Sequence, residues 1–95
     1  MTMVISGSRT EHGTLDGDVL VVDGGNLTLY GLITGTLTVG LGGYADVFGT
    51  VGALVVRDAG GAQLFGMCID NATNLGGELT VHGIVAGSVV GHAYS

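Results

Sequence analysis

Histidine, cysteine and paired aspartates are the side chains of this sequence that could carry out catalysis or hold a metal ion. The three histidines are His12, His82 and His92, and no two lie close together in the chain. If the chain folds as stacked coils, His12 and His82 lie about four coils apart. At about 4.8 Å for each coil this is roughly 19 Å, which is too far for a shared catalytic or metal site. Cys68 has no histidine or cation beside it to favour a thiolate, so we expect a buried core residue rather than a nucleophile.

Metal and phosphate sites are also poorly supported by the sequence. Asp16 and Asp18 share one face of a strand and could hold calcium weakly, but the repeated Gly-Gly-x-Gly-x-Asp motif of calcium-binding solenoids is absent. The glycine pairs lack the lysine and the helix of a phosphate-binding loop. We therefore predict no enzyme activity, no catalytic or metal-ligating residues, no cofactor and no small-molecule substrate.

The net charge limits the classes of molecule that this chain is expected to bind. The net charge is −6, there is no lysine, and the cations are Arg9 and Arg57 alone. A protein that binds a phosphate backbone needs several cationic side chains on one face. Nucleic acid is therefore excluded as a partner, and binding to anionic membranes is disfavoured. An acidic surface suits a basic protein partner. The first five residues lack a basic signal-peptide region, and no apolar stretch approaches the ~20 residues of a membrane span, so we expect a cytoplasmic protein.

A repeat punctuated by glycine runs through the chain. One repeat cannot bury its apolar side alone, whereas stacked repeats pair short strands in parallel and enclose a core. We predict an all-β, single-stranded parallel β-helix of about five coils of 17–18 residues. It forms one domain over residues 1–95, with regular coils over about 10–91 and an irregular coil with a loop at 68–77. The repeat is carried by a ring followed by glycine in five places: His12-Gly13, Tyr30-Gly31, Phe48-Gly49, Phe65-Gly66 and His82-Gly83.

Alternation of apolar and polar residues separates the inside of the second coil from its outside. The residues predicted to form the core are Leu27, Leu29, Ile33, Leu37, Val39 and Leu41. The same alternation sets the five rings, here called the ring column, on the outside. A second column, two residues further on, would lie beside them: Thr14, Leu32, Thr50, Met67 and Ile84. A turn that shifts the alternation would instead direct the rings into the core, and both arrangements remain open at this point.

Two segments share the pattern x-Gly-x-apolar-x-Gly-x-apolar. They are residues 30–39 (Tyr-Gly-Leu-Ile-Thr-Gly-Thr-Leu-Thr-Val) and residues 82–90 (His-Gly-Ile-Val-Ala-Gly-Ser-Val-Val). This repeat style resembles the bactofilin family of bacterial polymer-forming cytoskeletal proteins, over about residues 13–90. The resemblance implies a triangular parallel β-helix that assembles end to end into non-polar filaments without nucleotide.

Two other solenoid functions fit poorly. Hexapeptide acyltransferases use coils of 18 residues, but the six-residue spacing of apolar positions stops after Val51, and the protruding loop and catalytic histidine of such enzymes are not evident. Ice-binding solenoids need a repeated Thr-x-Thr ladder, and Thr36-x-Thr38 stands alone, because the next coil has Ala53 and Val55 there.

Two functions remain from these observations. The first is a protein-binding module, most concretely a bacterial immunity or antitoxin-type inhibitor of a basic toxin domain, because aromatic and methionine side chains are enriched in binding hot spots. The second is a bactofilin-like structural protein that forms end-to-end dimers or filaments, since open strand edges favour pairing. The predicted partner-binding residues are Tyr30, Leu32, Asp46, Phe48, Phe65, Met67, His82 and Ile84.

Overall fold

The computed structural model describes residues 2–93, in which all regular structure is β-strand. No helix in that part of the chain is long and apolar enough to cross a bilayer. The strands are short because each is ended by a glycine-rich turn. They are β1 (Thr2–Ile5), β2 (Ser8–Glu11), β3 (Thr14–Leu15), β4 (Asp18–Val21), β5 (Asn26–Leu29), β6 (Leu32–Val39), β7 (Tyr44–Val47), β8 (Thr50–Val56), β9 (Gly61–Leu64), β10 (Met67–Cys68), β11 (Ala72–Asn74), β12 (Glu78–Val81), β13 (Ile84–Val85) and β14 (Val89–Val90).

The strands stack in parallel into three faces of a β-solenoid of about five turns, which confirms the predicted fold class. The first face contains β1, β4, the ends of β6 and β8, β11 and β14. The second face contains β2, β5, β7, β9 and β12. The third face contains β3, the beginnings of β6 and β8, β10 and β13. Because β1 already pairs with β4, stacking begins before residue 10.

The interior is a column of Val, Leu, Ile and Ala side chains from all three faces. Leu27, Leu29 and the other predicted core residues of the second coil up to Val39 are fully buried. The prediction for Leu41 is wrong, because this side chain is 66% exposed. Strand β6 ends at Val39, and Leu41 lies in the turn closed by the bond that the N–H of Gly43 donates to the carbonyl of Gly40, so strand alternation no longer applies.

The glycines after the last four rings let neighbouring coils approach closely. A Cβ on Gly31 would collide with the carbonyl oxygen of Gly13, and a Cβ on Gly49 would collide with that of Gly31. The same carbonyls accept backbone bonds from the coil above, as in the 3.0 Å bond from the N–H of Thr50 to Gly31. These positions therefore need glycine for lack of space and not for an unusual φ.

Two asparagines of the fourth coil make side-chain hydrogen bonds to the backbone. Asn74 is buried, whereas Asn71 is exposed and accepts a bond from the N–H of Ser88 at 2.9 Å. The apolar side chains are less buried in the last coil, where Val85 is half-buried and Val89 is exposed. Within residues 2–93 that coil has a stacked neighbour on one side only.

Candidate functional site: the exposed ring column

The ring column lies at the corner between the second and third faces. Each ring residue directly follows a strand of the second face whose last side chain points inward, so alternation directs the ring outward. Backbone bonds fix the register, as in the 2.8 Å bond from the N–H of Phe48 to the carbonyl of Leu29 and the 2.7 Å bond from Phe65 to Val47. Tyr30, Phe48 and Phe65 are 39–52% exposed. The alternative arrangement, with the rings in the core, is thereby excluded.

The five rings form one continuous stack. Their centroids are 4.8–5.2 Å apart from coil to coil and their planes lie within 6–11° of each other. This spacing is nearly that of hydrogen-bonded strands, so the backbone ladder itself brings the rings into contact. Inner rings such as Phe48 have ring neighbours on both faces and present their edges to solvent. Four such steps separate His12 from His82, so the structure does not bring these two histidines together.

The column beside the rings adds apolar surface. Met67 and Ile84 are exposed, and Leu32 is half-buried. Together with Phe48 and Phe65 they form an apolar strip along several coils. Contiguous apolar surface of a few hundred Å² or more is uncommon on soluble proteins unless another molecule covers it.

Asp46, also predicted to bind a partner, faces outward from the second face but is only half exposed. It lies beside Tyr44, in the same strand. Burial raises the pKa of the Tyr44 hydroxyl, and the negative charge of Asp46 raises it further. Asp46 therefore contributes negative potential next to the ring column, because it stands two residues before Phe48 on the same outer surface.

Two features of the surface were not anticipated from the sequence. One is an ion pair between Arg9 and Glu11, whose Nη2 and Oε2 atoms are 2.9 Å apart. The other is a shallow hollow of about 400 Å³ between Tyr44 and Glu78. The hollow exists because Gly61 occupies the register position between these two side chains and supplies no side chain of its own. The Tyr44–Gly61–Glu78 alignment becomes visible only once the register is known.

The side chains that could take part in catalysis or metal binding do not cluster. Across residues 2–93 no group of three or more His, Cys, Asp or Glu side chains could hold a metal ion. Cys68 is buried, and its S–H lies 3.5 Å from the carbonyl of Asn71 and 3.8 Å from that of Gly52. Burial raises the pKa of this thiol, which disfavours the reactive thiolate.

Comparison with known proteins gives no match among family models, curated proteins or solved structures. The likeness to the bactofilin family therefore stays a prediction from the repeat style.

Proposed function

We propose that this chain is a non-enzymatic protein-binding module and, most concretely, a bacterial cytoplasmic inhibitor of the immunity or antitoxin type. The observation that carries this proposal is the exposed, continuous stack of rings with Met67 and Ile84 beside it. The ring column and its apolar neighbours would dock on a partner and block it sterically.

The rigidity of the ring column supports a binding role. Each inner ring is held between two others at about 5 Å, so little conformational freedom remains to be lost on association. Large, rigid aromatic side chains are also the residues that most often dominate binding energy. The column thus offers a pre-ordered contact surface that is already assembled in the free chain.

The charge of the chain supports a basic partner. The net charge is −6 over 95 residues, and complementary potentials raise association rates and disfavour wrong partners. Asp46 places one of these charges close to Phe48. A basic toxin domain is a partner of this chemistry.

The test compares three forms of the chain: wild type, Phe48→Ser with Phe65→Ser, and Leu41→Ser as a control. Leu41 is exposed and apolar, but it lies in a turn outside the ring column. A partner isolated by cross-linking from the bacterium is purified and titrated calorimetrically against each form. We expect wild type and Leu41→Ser to bind equally and the double variant, still folded by circular dichroism, to lose binding at least a hundredfold. Equal binding by all three forms would refute the proposal.

Self-assembly, the second candidate function, draws support from the ends of the solenoid. The outer edges of β12, β13 and β14 pair with no strand among residues 2–93, and Val89 and Val90 are exposed there. Unpaired strand edges template further pairing. Light scattering of the pure chain separates the two functions, because a polymer grows with concentration and needs no partner, whereas an inhibitor keeps a fixed mass of one or two chains.

A further inference from the structure

The two ends of the solenoid differ in what they place on the core axis. In the second face, Arg9 pairs in register with Leu27, and Glu11 pairs with Leu29. Residues paired in parallel register point to the same side of a sheet, and Leu27 and Leu29 are fully buried. Arg9 and Glu11 therefore occupy inward, core-column positions of the first coil.

The charged side chains at this end are held in place by each other and by the backbone. The Arg9 guanidinium donates to Glu11 at 2.9 Å, and the N–H of Gly13 donates to the other carboxylate oxygen at 3.3 Å. Both contacts lower the pKa of Glu11, so the carboxylate stays charged at neutral pH. The pair lies over the first-coil end of the core, with its outer side still open to water.

Among residues 2–93, the opposite end carries no such ion pair. The inward positions of the last coil continue the core column with Leu79, Val81 and Val85, which stand in register with Ala62, Leu64 and Cys68. Leu79 is fully buried and Ala93 packs against the core, whereas Val81 and Val85 are half-buried, so a further coil stacked there would meet the side chains of Val81 and Val85. The last-coil end is thus an acceptor for a further coil, and the first-coil end is not.

We propose that the Arg9–Glu11 pair is a plug that stops a second copy of this chain from stacking its last coil on the first coil. Whatever the rotation between the two copies, stacking sets the interior of one coil on the interior of the other, so the ion pair would be sealed against side chains such as Val81 and Val85. Removing both charges from water costs more than their mutual attraction returns. Inward-pointing charges are a known means by which β proteins prevent edge-to-edge association. The plug acts whatever the ring column binds, and it limits assembly to one or two chains.

The test removes the plug with the substitutions Arg9→Leu and Glu11→Leu, which continue the apolar core column. The doubly substituted chain is here called the plug variant. Molar mass is measured by light scattering over a hundredfold range of concentration. We expect wild type to keep a fixed mass of one or two chains and the double variant to grow at least fourfold in mass. Circular dichroism confirms that the variant is folded, and Arg9→Val with Glu11→Val, which uses strong strand formers, replaces it if it is not.

A matched control separates the plug from added surface apolarity. Ser8→Leu with Thr10→Leu adds two leucines to the same strand at outward positions. We expect this control to keep the wild-type mass. Growth of the control to the same extent as the plug variant would overturn the proposal.

A mixing experiment tests the direction of stacking. Wild type has the ion pair at its first-coil end and, among residues 2–93, none at its last-coil end, so it should terminate chains of the plug variant. Addition of equimolar wild type should lower the mass of the plug variant at least twofold. The control chain with Ser8→Leu and Thr10→Leu keeps the ion pair, so we expect it to lower the mass of the plug variant equally. A folded plug variant that stays at the wild-type mass, or one whose mass wild type does not lower, would show that the ion pair does not control assembly.

Discussion

The ring of Phe48 lies flat against the ring of Phe65, with centroids 4.8 Å apart and planes 7° apart, while both side chains remain exposed. The contact follows from the register, in which Val47 pairs with Leu64 immediately before the two rings. A repeat of 17 residues between these coils thus turns a sequence position into a stacked surface. The same contact contributes to stability and forms part of the candidate binding site.

We expect the cost of removing a ring to depend on how many rings it contacts. Phe48 stacks on both Tyr30 and Phe65, whereas His12 stacks on Tyr30 alone. At about 0.5–1.5 kcal/mol for each aromatic contact, Phe48→Ala should lower the free energy of unfolding by about 1–3 kcal/mol and His12→Ala by about half as much. Urea denaturation of both variants measures the difference, and equal costs would contradict the additive stack.

A second prediction concerns the glycine beside the stack. In Gly49→Ala the new methyl group would collide with the carbonyl oxygen of Gly31, which cannot move without breaking the ladder. We expect a loss of about 1–3 kcal/mol, as for other overpacked sites. Gly7→Ala is the matched control, because a Cβ there meets nothing within 4 Å, and it should change stability by about 0.5 kcal/mol or less. Comparable melting temperatures for the two variants would show that the coils can separate at this corner.

The repeat and the alternation of side chains were sufficient to predict the solenoid, because ring–glycine spacing and strand parity are local properties of the sequence. They also identified Leu27 and Leu29 as core residues. Leu41 has the same parity and was wrongly predicted as core, since parity ends where β6 ends at Val39.

Features that depend on register could not be predicted in the same way. Arg9 and Glu11 lie in a polar strand, and their place on the core axis follows only from their pairing with Leu27 and Leu29. The orientation of the ring column also depended on the geometry of one corner. The burial of Asn74 likewise results from the return of the chain near His92, 18 residues later.

A third prediction concerns this buried asparagine. The Asn74 amide donates to the carbonyls of Gly77 and His92 at 2.8 and 2.7 Å, and its oxygen accepts bonds from the N–H groups of Gly76 and Gly77 at 3.1 and 2.8 Å. Asn74→Ala leaves several of these groups without a partner, which should cost about 2–4 kcal/mol. Asn71→Ala, which removes one exposed bond to Ser88, should cost about 1 kcal/mol. Guanidinium denaturation of the two variants checks the ranking, and similar costs would mean that water replaces the Asn74 amide.

The last prediction concerns stability at alkaline pH. Burial raises the pKa of the Cys68 thiol above its ordinary value of 9.0, so the unfolded chain loses this proton at a lower pH than the folded chain does. The resulting stabilisation is fully present below about pH 9 and is lost as the pH rises through the folded pKa. Cys68→Val, which places in this column the residue already present at Val51 and Val85, should therefore show a flatter decline in the free energy of unfolding above pH 9.

Urea unfolding measured from about pH 7 to about pH 11 gives the two curves, and their slopes are compared because the substitution itself changes the absolute stability. Tyr44→Phe is the matched control. Burial also raises the pKa of Tyr44, from 10.0, so its removal should flatten the curve only above pH 10. Parallel curves for wild type and Cys68→Val between about pH 9 and pH 10 would mean that the Cys68 thiol titrates equally in both states. A thiol of that kind would also react with an added disulfide reagent in the native protein, which the buried position of Cys68 is expected to prevent.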